Sequence, residues 1–160
     1  MHAVSPAVQA SSRRPHVKGP RWLIGLLLLC GFLTAARGTA DVIEERRALM
    51  RALADNIQGI WNGLARGEGP AVESKAKQMA AQAGRVLPLF PPNSFHPPSR
   101  AQPAIREEFR TFEGFVDDLK QAAEALAASV HQQGLAEVQP HLTRLMRSCR
   151  QCHRRYIQPY

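Results

Sequence analysis

Residues 105–130 read "IREEFRTFEGFVDDLKQAAEALAASV", and this stretch decides the fold. Its apolar side chains fall at Ile105, Phe109, Phe112, Val116, Leu119, Ala123, Leu126 and Val130. Every step is three or four residues, which puts all eight on one face of a helix. The carboxylates at 107–108 and 117–118 read as its solvated side. A half-buried strand would alternate with period two, and no such alternation runs here.

The same spacing continues outward. Beyond "HQQG" (131–134) come Leu135, Val138, Leu142, Leu145, Cys149, Cys152 and Tyr156. Upstream, "LPLFPPNSFHPPSRAQP" (87–103) holds six prolines and must be a loop or extended crossing. Before it lies a stripe at Val72, Ala76, Met79, Ala83 and Val86. "ARGEGP" (65–70) separates that stripe from Met50, Leu53, Ile57, Ile60 and Leu64. Asp41 is expected to cap the first helix and Pro103 to open the third. Trp61, one residue off its stripe, reads as boundary packing, and Met79 and Met146 read as core. Two short connections make the helices they join antiparallel. The expectation is all-α: an up-down-up-down four-helix bundle over residues 41–160.

The first forty residues are of another kind. Arg13, Arg14, Lys18 and Arg21 precede an apolar run from Trp22 to about Leu33, then the small residues Gly38, Thr39 and Ala40. A basic start, a short greasy middle and a small-residue end predict a secretory signal peptide at 1–40, and hence a periplasmic protein. The run is shorter than the roughly 20 residues that span a bilayer. Paired arginines in "SRRPHVK" (12–18) match a twin-arginine signal only in part, and general secretion is the expected route. The chain of 160 residues has net charge +8. Five of its 21 basic residues and none of its 13 acidic ones lie in 1–40, so residues 41–160 carry 16 against 13, or +3. That modest excess, with no basic stripe interleaved with aromatics, gives no reason to expect nucleic acid as a partner.

Of three cysteines, Cys30 leaves with the signal. Cys149 and Cys152 remain, in "CRQCHRRY" (149–156). A disulfide across two residues would strain a helix and leave His153 unexplained. A closed zinc site wants four ligands, and His96, His131 and His141 are scattered. C-x-x-C-H is the attachment signature of c-type haem. Each thiol adds across a vinyl group, a spacing of three puts both sulfurs on one helix face, and the adjoining imidazole can reach the iron. One covalently attached haem c is therefore expected, with a structural bundle clipped through its cysteines as the alternative. No hydrolytic triad, phosphate loop or paired-carboxylate constellation stands out, so an enzyme is not expected.

A signal, four helical stripes and C-x-x-C-H near the carboxyl end resemble the class II c-type cytochromes, cytochrome c′ and its low-spin relatives. "VIEERRALM" (42–50), "LPLFPPNSF" (87–95) and "CRQCHRRY" carry the resemblance. It implies that Met50 stands over the distal haem face, one turn after Arg46, which can pair with a haem propionate. The heights of Met50 and His153 on antiparallel helices allow both on one iron, since each residue rises about 1.5 Å. The expected function is a periplasmic carrier of single electrons serving redox partner proteins, with His153 and Met50 on the iron. The alternative is five-coordinate iron that binds nitric oxide or carbon monoxide. The resemblance also allows a homodimer through the first two helices. Ile157 departs from the pattern, since family members often place an arginine four residues after the histidine.

Overall fold

The computed structural model describes residues 38–159. The predicted signal peptide, apart from its last three residues, and Cys30 lie outside the described residues.

The first helix, α1, runs Thr39–Arg66. Its N-cap is Gly38 in an extended conformation, and no side chain caps it. Asp41 is thus not the cap expected of it. It sits inside the first turn, where its charge opposes the helix dipole favourably. The helix stops at Gly67, whose φ of 69° suits a residue without a Cβ. There Glu68 N–H bonds Gly63 O at 2.8 Å and Gly67 N–H bonds Leu64 O at 3.1 Å, so two of the last four carbonyls are satisfied. The chain reverses at once into α2, Gly69–Ala83, with Pro70 in its first turn. A Cβ on Gly63 would meet Val72 Cγ2 at 2.8 Å, so glycine sets how closely α1 and α2 approach.

Past α2 the proline-rich segment opens with a single 3-10 turn, Leu87–Leu89. A one-turn helix, α3 (Ala104–Glu107), precedes the long α4, Phe109–Gln133. The single third helix expected from the stripe is therefore two. Pro103 caps the short one, and Glu108, at φ −107° and ψ 29°, breaks the ladder between them. The break also turns Phe109 outward, 40% exposed, although its spacing placed it on the buried face. The last helix, α5, runs Val138–Tyr156, leaving Leu135 in the preceding turn. Val86 likewise lies beyond the end of α2, yet it is buried.

α1, α2, α4 and α5 form the four-helix bundle. The close packing runs α1 with α2, α2 with α4, and α4 with α5. One end is solid: Ile60, Val72, Ala76, Leu126 and Leu142 are excluded from water. At the other end α1 and α5 stand on opposite sides of a cavity. No helix among the described residues is long and apolar enough to cross a membrane.

Candidate haem site

The cavity has a volume of about 550 Å³. Met50, Leu53, Ala54 and Ile57 of α1 line one side, and Met146, Cys149, Cys152, His153 and Tyr156 of α5 line the other. Phe112 and Phe115 from α4 and Phe90 from the proline-rich segment complete a largely apolar surface. All five residues singled out in the sequence, Arg46, Met50, Cys149, Cys152 and His153, meet at this one cavity.

Because α5 is unbroken through this region, Cys149 and Cys152 sit three apart on one face. Both thiols are free and half-buried. Burial pushes the Cys149 thiol up, and burial followed by the neighbouring Cys149 pushes Cys152 up to about 11. Both are therefore neutral thiols near pH 7. His153 keeps an outer edge in solvent, while burial of the rest of the ring lowers its pKa below the usual imidazole value. A neutral imidazole has a nitrogen lone pair to give a metal. Among the described residues no group of three or more His, Cys, Asp or Glu could hold an ion by itself.

Arg46 is the strangest member. It is only 6% exposed, and among the described residues no carboxylate pairs with it. Its Nη2 donates to Ser94 O at 2.9 Å and Ser94 Oγ at 2.8 Å, and its Nη1 to Ser99 Oγ at 3.2 Å. The guanidinium lies 4.3 Å from the centre of the Phe90 ring. Its Nε is buried with no hydrogen-bond partner, and burial lowers its pKa. A buried cation without a counter-ion is costly, so this wall is prepared for an anion.

The floor beside His153 is built by Tyr156. It is buried, edge-on to Phe112 with centroids 5.5 Å apart and to Phe115 at 6.0 Å. Its hydroxyl donates to Glu108 Oε2 at 2.9 Å, and Arg155 Nε donates to the same oxygen at 2.7 Å. The residue that breaks α3 from α4 thus ties that break to the end of α5. Immediately after, Ile157 leaves the helix at φ −102° and ψ 130° and forms an antiparallel bridge with Ala101. Gln102 N–H bonds Tyr156 O and Gln158 N–H bonds Arg100 O, each at 2.9 Å. Ile157 lines the cavity.

Sequence comparison matches residues 41–156 to the family model described as cytochrome c′. The chain belongs to the cytochrome c′ family. Proteins of this family carry one covalently attached haem c. The cytochrome c′ of Thermochromatium tepidum is 25% identical with a TM-score of 0.68, over 75% of this chain and 97% of that one. A cytochrome c′ with an unusual ligand-controlled dimer dissociation is 20% identical with a TM-score of 0.70, over 76% and 98%. The ferrous nitric oxide complex of a variant cytochrome c′ from Alcaligenes xylosoxidans is 15% identical with a TM-score of 0.67, over 76% and 97%. No curated protein matches in sequence.

The cavity suits the family's cofactor in three respects. It has neutral thiols at the right spacing, an unprotonated imidazole beside them, and an orphaned cationic N–H at its edge. Met79 is fully buried in the core as its spacing predicted, Met146 packs against that core, and both also line the cavity. Their helical spacing is the same whether the space beyond them is filled or open. Phe90 was not singled out either, because nothing in a proline-rich segment reveals which ring turns inward.

Proposed function

We propose that this chain is a monohaem cytochrome c′ whose iron binds a small neutral gas, nitric oxide or carbon monoxide, on the face opposite His153. In this reading Cys149 and Cys152 each add a sulfur across a haem vinyl group, the thiol proton passing to the other vinyl carbon. His153 offers an imidazole nitrogen to the iron. Arg46 offers its unused Nε–H to a propionate. Haem held there would supply an iron and a binding position for a diatomic ligand. Met50, Leu53, Ala54 and Ile57 then give that position an apolar wall, which excludes water and favours an uncharged ligand. The observation that carries the reading is one cavity with both thiols and the imidazole on one side and that apolar wall on the other. The family membership and the nitric oxide complex of the Alcaligenes xylosoxidans relative favour it. The predicted signal peptide adds a periplasmic location.

A second reading has one observation in its favour: Met50 lines the same cavity as His153. With its sulfur on the iron, the protein would be a six-coordinate electron carrier, because a filled axial pair leaves no site for gas. Absorption spectra of the haem-loaded protein decide between the two. A high-spin ferric spectrum, with rapid carbon monoxide binding after reduction, is expected. A sulfur-to-iron band at the red end that disappears in Met50→Ala would overturn the gas reading in favour of the carrier. A homodimer belongs to the gas reading, and sedimentation with and without carbon monoxide tests it.

A further inference from the structure

The segment 138–159 carries five arginines and not one Asp or Glu. Arg155 is engaged with Glu108. The other four, Arg144, Arg147, Arg150 and Arg154, are exposed and have no carboxylate partner among the described residues. α1 handles its surface arginines differently. Arg47 and Arg51 both contact Glu44, and Arg66 contacts Glu68 at 2.8 Å.

On α5 the steps between the four are three, three and four, so they form one row along the helix. Like charges at this spacing repel and destabilise the helix slightly. The helix dipole rewards a cation only in the last turn. That accounts for Arg154 but not for Arg144 and Arg147, which lie farther up. Arg150 stands four residues after Met146 and three before His153, both cavity residues, so the row borders the cavity wall.

What surrounds the row narrows its partner. The exposed neighbours Thr143 and Gln151 are polar, and no exposed apolar side chain stands among them to enter a bilayer. The segment's aromatic ring, Tyr156, is buried against Phe112 and Phe115 and offers no face to stack on a base. Guanidinium forks match carboxylates two by two. We propose that the row Arg144–Arg147–Arg150–Arg154 is a docking face for a protein partner that presents clustered carboxylates, seated beside the cofactor-bearing wall. Only that last phrase rests on the haem reading above.

The test uses full-length, haem-loaded protein and short poly-L-glutamate as the probe, measured by calorimetry over a range of salt. The variant Arg147→Gln, Arg150→Gln, Arg154→Gln keeps helix propensity nearly unchanged. Its control, Lys75→Gln, Arg85→Gln, Lys120→Gln, removes the same charge elsewhere. The row variant should bind about tenfold more weakly with a shallower salt dependence, while the control stays within about twofold. Equal losses in the two variants, or none in either, would overturn the proposal. So would wild-type binding to phosphatidylglycerol vesicles without binding to poly-L-glutamate. Carbon monoxide binding is followed in the same samples. Its absence in the wild type sinks the gas reading alone, and its persistence in the row variant shows that the site is intact.

Discussion

The two ends of the bundle are built from the same stripes and come out differently. At the closed end Ala76, Ala122 and Ala123 let the helices approach until Ile60, Val72 and Leu126 are sealed from water. At the open end the residues on the stripes are Met50, Phe112, Val116, Cys149 and Tyr156, and a void remains between α1 and α5. Periodicity decides which way a side chain faces. Side-chain size, together with the strap of residues 90–103, decides whether anything is left for a ligand to fill.

The contrast can be broken most completely at the cysteines. Cys149→Ser with Cys152→Ser should abolish covalent haem, leaving a mass of the bare chain by mass spectrometry while helical circular dichroism persists. Next in size is the closed end. Leu126→Ala opens a hole in a filled core and should cost about 2–5 kcal/mol in urea unfolding. Leu119→Ala, on the cavity wall, should cost less before haem is attached, because that space is already open. Equal losses at the two sites would erase the distinction between the ends.

Arg46→Ala removes three donated hydrogen bonds and two ring contacts, to Phe90 and Phe95. It also removes a buried charge, so the net loss should be about 1–3 kcal/mol. Hydrogen exchange should show it first at residues 94–99 and only later in the helices. A smaller effect concerns acid. Arg155, then Tyr156, hold the Glu108 carboxyl below its ordinary value of 4.5. A depressed folded pKa adds stability above the unfolded value and loses it as pH falls through the folded one. Urea midpoints should therefore fall below pH 4.5 more steeply in the wild type than in Glu108→Gln. Last, Trp61→Gln on the outer face should change stability by no more than about 0.5 kcal/mol, since Trp61 is 44% exposed.

Most of this architecture was legible in the order of residues. The four stripes, the proline segment between the second and third, and the cysteine pair on the last stripe all follow from spacing. What escaped was set by contacts distant in sequence. Glu108 breaks the third stripe at the point where Arg155 and Tyr156, nearly fifty residues later, hold its carboxylate. The sequence put Arg46 one turn before Met50, but nothing in α1 foretold that Ser94 and Ser99 would take its guanidinium. Asp41 carries a capping residue's chemistry, yet the helix had already started at Thr39. The meeting of Met50 with His153 could be estimated from helix rise alone, because both sit near the same end of antiparallel rods.

The bridge between Ala101 and Ile157 sets an order of events. Ile157 follows every described helix in the sequence, so the seam that clamps 100–102 to 156–158 closes only when α5 has reached its place beside the strap. While that seam is open, the stretch with both thiols and the imidazole lacks its tie to the strap and lies within reach of whatever must work on it. Clipping the polypeptide after Tyr156 would remove the bridging Ile157 and leave the strap with one anchor in place of two.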